Sequence, residues 1–440
     1  MRQIIKLSLF IISLFATAFL AACGFDFNFD FALENTAANV SEAVFDVSAG
    51  FVPLEELEIS DEPLPLMLYI RYDEYILAMY EPPTNYIYLG AFIEEDNLLA
   101  GDIGMFERLS GVSHAIFAYR YTLGDPFPVR FVLQSLARSK MPLIEIHPGD
   151  IYDEIDYYQI EDLAMAFGEF NVPIFISFNA SEAGLDRSKS KEFFIALRKA
   201  FSIHAPKAAF VWGISFESGS RMFDYYPGDE WVDWVGISAF SNITPEGNHS
   251  DIFERLDAFY FAFQERKPIM ITGLGVSNFS TIDHSYRVAE ASFVLQYIYE
   301  RIADRYPRIK AIIYAGYRRE IGGITQSHQL TDSDRLLSAY NAATEGDRFT
   351  AEIDITSAGQ KVSQWILSQH TVKIIGDTVF IPRQSLESDF GASSAELNRW
   401  VEYLEIIDDE QFFNVNLLHN FGMRRVVIDE NNAKVFISSD

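Results

Sequence analysis

Residues 172–215 read VPIFISFNASEAGLDRSKSKEFFIALRKAFSIHAPKAAFVWGIS, and this stretch decides the fold. It opens on a β-branched and aromatic run, 172–179, and turns near Gly184. Residues 190–203 follow with apolar side chains three and four apart, and a second strand-like run, 208–215, closes it. Strand, amphipathic helix, strand is the unit of a parallel sheet, because parallel neighbours need a long crossover.

Outward from that unit the theme repeats. Strand-like runs occupy 86–93 (YIYLGAFI), 114–120 (HAIFAYR), 141–148 (MPLIEIHP), 172–179 and 208–215. They continue at 233–240 (DWVGISAF), 268–275 (PIMITGLG) and 309–317 (IKAIIYAGY). Amphipathic stretches lie between them at 131–140, 160–170, 190–203, 250–266 and 286–306, and another follows at 333–343. Eight such runs close a ring, so the predicted fold class is α/β: a (β/α)8 TIM barrel with a small C-terminal α+β domain. An open doubly wound sheet is the rival. No GxGxxG or GxxxxGK[ST] loop follows the first run to support it.

Composition narrows the class further. The chain has 440 residues, 49% of them hydrophobic, which supplies a large core and argues against disorder throughout. Its 34 Lys+Arg against 63 Asp+Glu give a net charge of −29, which repels phosphate backbones, so no nucleic-acid partner is expected. One cysteine excludes an intrachain disulfide, and no Cys/His cluster has zinc-site spacing. No cofactor or metal is expected.

That cysteine sits in an address. Arg2 and Lys6 precede an apolar run, and Leu20-Ala21-Ala22-Cys23 looks like a bacterial lipobox. Residues 1–23 are therefore expected to be a lipoprotein signal peptide, with Cys23 lipidated and the mature chain anchored on the extracellular face of the bacterial cell membrane. Residues 24–64 follow as a spacer, 65–346 as the barrel and 347–440 as the small domain.

In such a barrel, chemistry belongs at the C-terminal ends of the strands. The residues there include Phe92, Glu94, Tyr119, Tyr121, Glu145, His147, Ser215, Glu217, Ser238, Phe240, Gly273, Tyr314 and Tyr317. Aromatic faces with carboxylates suit sugars, whose C–H faces stack on rings while their hydroxyls bond to acids. With 38 Phe and 5 Trp, much of the aromatic content belongs to the core.

Several stretches together resemble glycoside hydrolase family 26, the β-mannanase-like retaining barrels. They are Tyr80-Glu81-Pro82-Pro83, Tyr88-Leu89-Gly90-Ala91-Phe92, Val211-Trp212, Tyr226-Pro227-Gly228-Asp229 with Val232-Asp233-Trp234-Val235-Gly236, and Lys267-Pro268-Ile269-Met270-Ile271. The resemblance implies a polysaccharide or oligosaccharide ligand, a general acid after the fourth strand and a nucleophile ending the seventh. This chain departs at both places. Gly273 stands at the nucleophile position, and either Ser181 or Glu182 aligns with the acid. Ser177 replaces the family's arginine, and Phe240 the tyrosine that supports the nucleophile. Glu182 is the candidate catalytic acid; Glu145, Glu217 and Asp283 are candidate partners for an inverting reaction. Tyr119, Glu145, His147, Trp212, Glu217, Phe240, Tyr314 and Tyr317 are the candidate sugar contacts.

Past residue 345 the rhythm changes to short alternating runs: 370–375, a Gly376-Asp377-Thr378 turn, 379–381, then 425–429 and 433–438. Residues 374–392 resemble the stalk domain related to the N-terminal domain of copper amine oxidases. His370 and His419 are isolated, so the resemblance implies no copper; it implies adhesion, spacing or cell-wall contact. Three functions are thus expected: a glycan-binding barrel without catalysis, an active hydrolase using Glu182, or a structural envelope lipoprotein.

Overall fold

The computed structural model describes residues 45–46, 64–83, 86–149, 155–321, 324–376, 378–429 and 431–439. The expected signal segment with Cys23, and nearly all of the expected spacer, lie outside the described residues. Among the described residues, no helix is long and apolar enough to cross a membrane.

Eight parallel strands form a closed ring: Ile87–Phe92 (β1), Ile116–Thr122 (β2), Met141–His147 (β3), Ile174–Asn179 (β4), Ala208–Ser215 (β5), Trp234–Ser241 (β6), Ile269–Val276 (β7) and Ile309–Ala315 (β8). Neighbours pair in chain order, and β8 returns to β1 with partners from Ala311 and Tyr88 to Ala315 and Phe92. The expected (β/α)8 barrel is therefore present, and each strand overlaps its sequence run. Among the described residues seven helices cover it: Ile103–Ser110 (α1), Val129–Leu136 (α2), Tyr157–Phe170 (α3), Arg187–His204 (α4), Phe253–Phe263 (α5), Val288–Arg305 (α6) and Asp334–Thr344 (α7). Between β5 and β6 the crossover is made of 3-10 turns, Phe216–Tyr225 and Asp229–Trp231. Gly219, Pro227 and Gly228 interrupt any longer helix there.

Local chemistry starts the helices. Asp102, Asp156, Asp186 and Ser333 cap α1, α3, α4 and α7, each side chain accepting from a first-turn backbone N–H. Such a cap contributes about 1 kcal/mol. Gly111 ends α1 at φ 67°, a left-handed position that costs a β-carbon dearly.

Strand alternation builds two cores. Tyr88, Ile116, Leu143, Phe175, Val211, Trp234, Met270 and Ile313 fill the barrel interior. The intervening residues, among them Phe117, Phe210 and Trp212, pack outward in the layer shared with the helices.

A second sheet stands beside the barrel. Leu64–Ile76, which the sequence reading grouped with the barrel, pairs antiparallel with Lys361–Ile375 and parallel with Lys434–Ser438. Thr378–Pro382, Glu410–Asn414, Leu404–Ile407 and Arg425–Asp429 extend the sheet, and Phe45–Asp46 adds an edge. Leu66, Leu68, Val372, Ile381, Leu386 and Val435 form its core. The sheet meets the barrel at the N-terminal ends of the strands. There Gln264 exchanges two hydrogen bonds with the Leu367 backbone, at 2.8 and 2.9 Å, and Tyr69 Oη donates to Arg305 O at 3.0 Å. At the same junction Arg308 and Glu81 form an ion pair at 2.6 Å with both side chains fully buried.

Candidate functional site

Inward-facing positions along each strand change character toward the C-terminal end. Ile116 and Ala118 lead to Arg120 on β2, Met141 and Leu143 to Glu145 and His147 on β3, and Phe175 to Ser177 and Asn179 on β4. The interior is dry at the base and polar at the mouth. A cavity of about 530 Å³ opens there, and a smaller one of about 290 Å³ adjoins it, sharing Arg120, Glu145 and Glu182.

Arg120 organises one wall. Its Nε donates to Glu145 Oε1 at 3.0 Å, and its Nη1 lies 3.8 Å from Glu95 Oε1. Burial works to lower the Arg120 pKa, but Glu145, Glu182 and Glu95 outweigh it and hold the pKa above the ordinary arginine value. Glu95 also pairs with Arg319, which arrives from the hairpin Arg318–Ile321 and Ile324–Ser327 after β8.

Aromatic rings form the opposite wall. Phe240 and Tyr317 meet edge to face at 5.7 Å, and His328 backs both, at 5.1 and 5.0 Å. Burial, with the Arg319 charge second, lowers the His328 pKa to about 3, so the ring stays neutral and its Nε2 lies 2.9 Å from Asn242 Oδ1. Burial also pushes the Tyr317 hydroxyl up to about 12. The loop after β6 brings Asp251, and the first turn of α5 brings Glu254 and Arg255, to the same cavity.

The β7 wall carries no acid. Between Ile271 and Leu274 the pairing shifts register against both neighbours, a bulge that turns Thr272 and Gly273 together toward the cavity. At the end of β4 the Ser181 Oγ accepts from the Ser215 N–H at 2.9 Å and donates to Asn179 Oδ1 at 3.0 Å. Ser181 thus clamps the end of β4 to β5, while Glu182 lines both cavities.

The structure brings Tyr119, Glu145, His147, Glu182, Phe240, Tyr317 and Gly273 to the mouth. Two expected contacts lie elsewhere. Trp212 is fully buried on the outside of β5, stacked on Phe259 at 6.4 Å with Nε1 donating to Tyr225 O. Tyr314 faces outward from β8, donating to His328 O at 2.8 Å and packing 5.5 Å from Tyr340. Both sit one position out of phase with the lumen. Asp283 is in the loop after β7, bonded to Ser285 and Arg287, and does not line either cavity. The Glu217 side chain and Cys23 lie outside the described residues. Sequence reasoning missed Arg120, although counting by twos from Ile116 reaches it; Arg319 comes from a hairpin that no strand pattern announced. Among the described residues, no group of three His, Cys, Asp or Glu is placed to hold a metal ion.

No family model matches the chain, and no curated protein does. Among solved structures, the chain is similar to a glycoside hydrolase family 26 β-mannanase from Bacteroides ovatus, at 11% identity over 60% of this chain and 90% of that one, with a TM-score of 0.43. A modular endo-β-1,4-mannanase from Cellulomonas fimi shares 13% identity over 65% of this chain and 80% of that one, with a TM-score of 0.42. Cel5A from Thermotoga maritima, solved with mannotriose, shares 15% identity over 59% of this chain and 98% of that one, with a TM-score of 0.41.

Proposed function

We propose that the barrel binds a β-linked polysaccharide at its mouth without hydrolysing it, and that the protein is a lipoprotein held at the outer face of the bacterial membrane through Cys23. One observation carries the binding reading: a cleft walled by Phe240 and Tyr317 on one side and by Glu145, Arg120 and Glu182 on the other, which joins stacking faces to hydrogen-bonding groups. Loss of catalysis rests on β7. Retaining hydrolysis needs two carboxylates about 5–5.5 Å apart, one of them attacking the anomeric carbon. Gly273 offers that carbon nothing.

A second reading, an active hydrolase with Glu182 as general acid, is favoured by Asp251 and Glu254 reaching the same cavity, where one of them would activate water for inversion. Incubation of the chain lacking residues 1–23 with β-mannans, glucans and xylans separates the readings. Retention without released oligosaccharide is the expected result. Release that disappears in Glu182→Gln establishes the second reading, and absence of any binding leaves a structural envelope role.

A further inference from the structure

A third cavity, of about 320 Å³, abuts the mouth through Ala118 and Tyr119 and lies among the loops after β1 and β2 and the start of α2. Its floor is aromatic and stiff. The Tyr119 and Phe131 rings sit 5.0 Å apart, and Phe127 is braced by Phe167 at 4.6 Å and Phe170 at 5.4 Å. Pro126 and Pro128 fix the backbone on either side of Phe127. A polar group stands beside these rings: Tyr119 and Glu94 share a hydrogen bond, and burial foremost raises the pKa of the Glu94 carboxyl. Across the cavity Ala100 and Gly101 are small, and a β-carbon on Gly101 would meet nothing within 4 Å.

Rings to stack on, a carboxyl at one edge and an open side match a pyranose ring, and the shared wall makes this pocket continuous with the mouth. We infer that the pocket takes a further neutral pyranose unit of the same glycan chain, so that the ligand is an oligomer running from the mouth across Tyr119 toward α2. This rests on the glycan-binding reading above. Glu94 and Arg130 both line the pocket, opposite charges that serve hydroxyl groups rather than a sugar of one charge. The rigid floor needs little ordering on binding, so occupancy adds directly to affinity.

Calorimetric titration of the chain lacking residues 1–23 tests it, with β-1,4-linked mannose and glucose disaccharides and hexasaccharides as probes. The hexasaccharide is expected to bind about tenfold more tightly than the disaccharide, a gain of about 1.4 kcal/mol. Phe131→Ala should erase that gain and leave disaccharide affinity as it was. Glu94→Gln, which keeps the size and shape of the side chain, should reduce the gain with the fold intact. Equal affinity for short and long probes, or a length gain that survives both substitutions, overturns the inference while leaving glycan binding standing. Failure of every probe to bind removes the glycan reading itself, and this inference with it.

Discussion

A β-carbon built on Gly273 would lie 3.4 Å from Phe240 Cζ and 3.7 Å from Ser238 Cβ, ordinary contact distances. On Gly275 it would lie 2.7 Å from Phe240 Cδ1 and 3.0 Å from His328 Cγ. The two glycines therefore answer differently to the same change. Gly275→Ala should cost about 1–3 kcal/mol, because Phe240 and His328 are pinned against each other and must shift. Gly273→Ala should be neutral, or stabilising by up to about 1 kcal/mol. Urea denaturation of both variants checks this, and equal losses would contradict the account. The space at Gly273 is thus open to a β-carbon, and that at Gly275 is not. Glu182 was legible in the sequence as a carboxylate after the fourth strand. That Ser181 is occupied as a clamp between β4 and β5 was not, because its partners Asn179 and Ser215 meet only when the strands pair.

Within a strand, alternation decides which side chains face the lumen, and parallel barrel strands hide the choice by being apolar on both faces. Run 208–215, AAFVWGIS, offers no polar residue to mark the lumen side before its last position, so Trp212 looked available to a ligand. In the fold it is wedged between β5 and α5, beside Phe259, Phe263 and Tyr226. Trp212→Ala should destabilise the protein by about 3–5 kcal/mol through the cavity it leaves, with glycan affinity of the folded fraction unchanged. Thermal denaturation alongside sugar titration checks both halves; a loss of affinity in well-folded protein would return Trp212 to the site. The bulge in β7 was equally hidden, since it exists only as a shift of register against β6 and β8.

Across the whole molecule, the barrel and the second sheet are joined by buried charge. Beneath β8, Arg308 stacks 3.9 Å over Tyr75 and pairs with Glu81, and fully buried Lys310 donates to Gln364 of the sheet at 3.3 Å. Burial foremost, with repulsion from Arg308 next and against the pull of Glu81, lowers the Lys310 pKa to about 7. In the unfolded chain a lysine titrates near about 10.4. Between those values the unfolded chain holds a proton that the folded chain has released, so stability rises with pH across that window. Below about 7 both states are protonated, and the full cost of a buried ammonium persists. Lys310→Met should therefore narrow its stability advantage over the natural chain as pH climbs from 7 to 9. Urea unfolding of both proteins at three pH values in that range measures it, and a constant difference would show that Lys310 does not titrate there.

The order of the eight strands and of α2 to α7 was readable from residues 86–343 alone, because local periodicity and turn chemistry act over a few residues at a time, whereas the short α1, Ile103–Ser110, was not read. Tertiary structure alone decided the rest. It moved Leu64–Ile76 into a sheet with partners near 361–375 and 434–437, and it gathered Arg120, Glu95 and Arg319 around Glu145. It also chose which face of each apolar strand looks inward. Those outcomes depend on contacts between residues far apart in sequence, where periodicity carries no record of the partner.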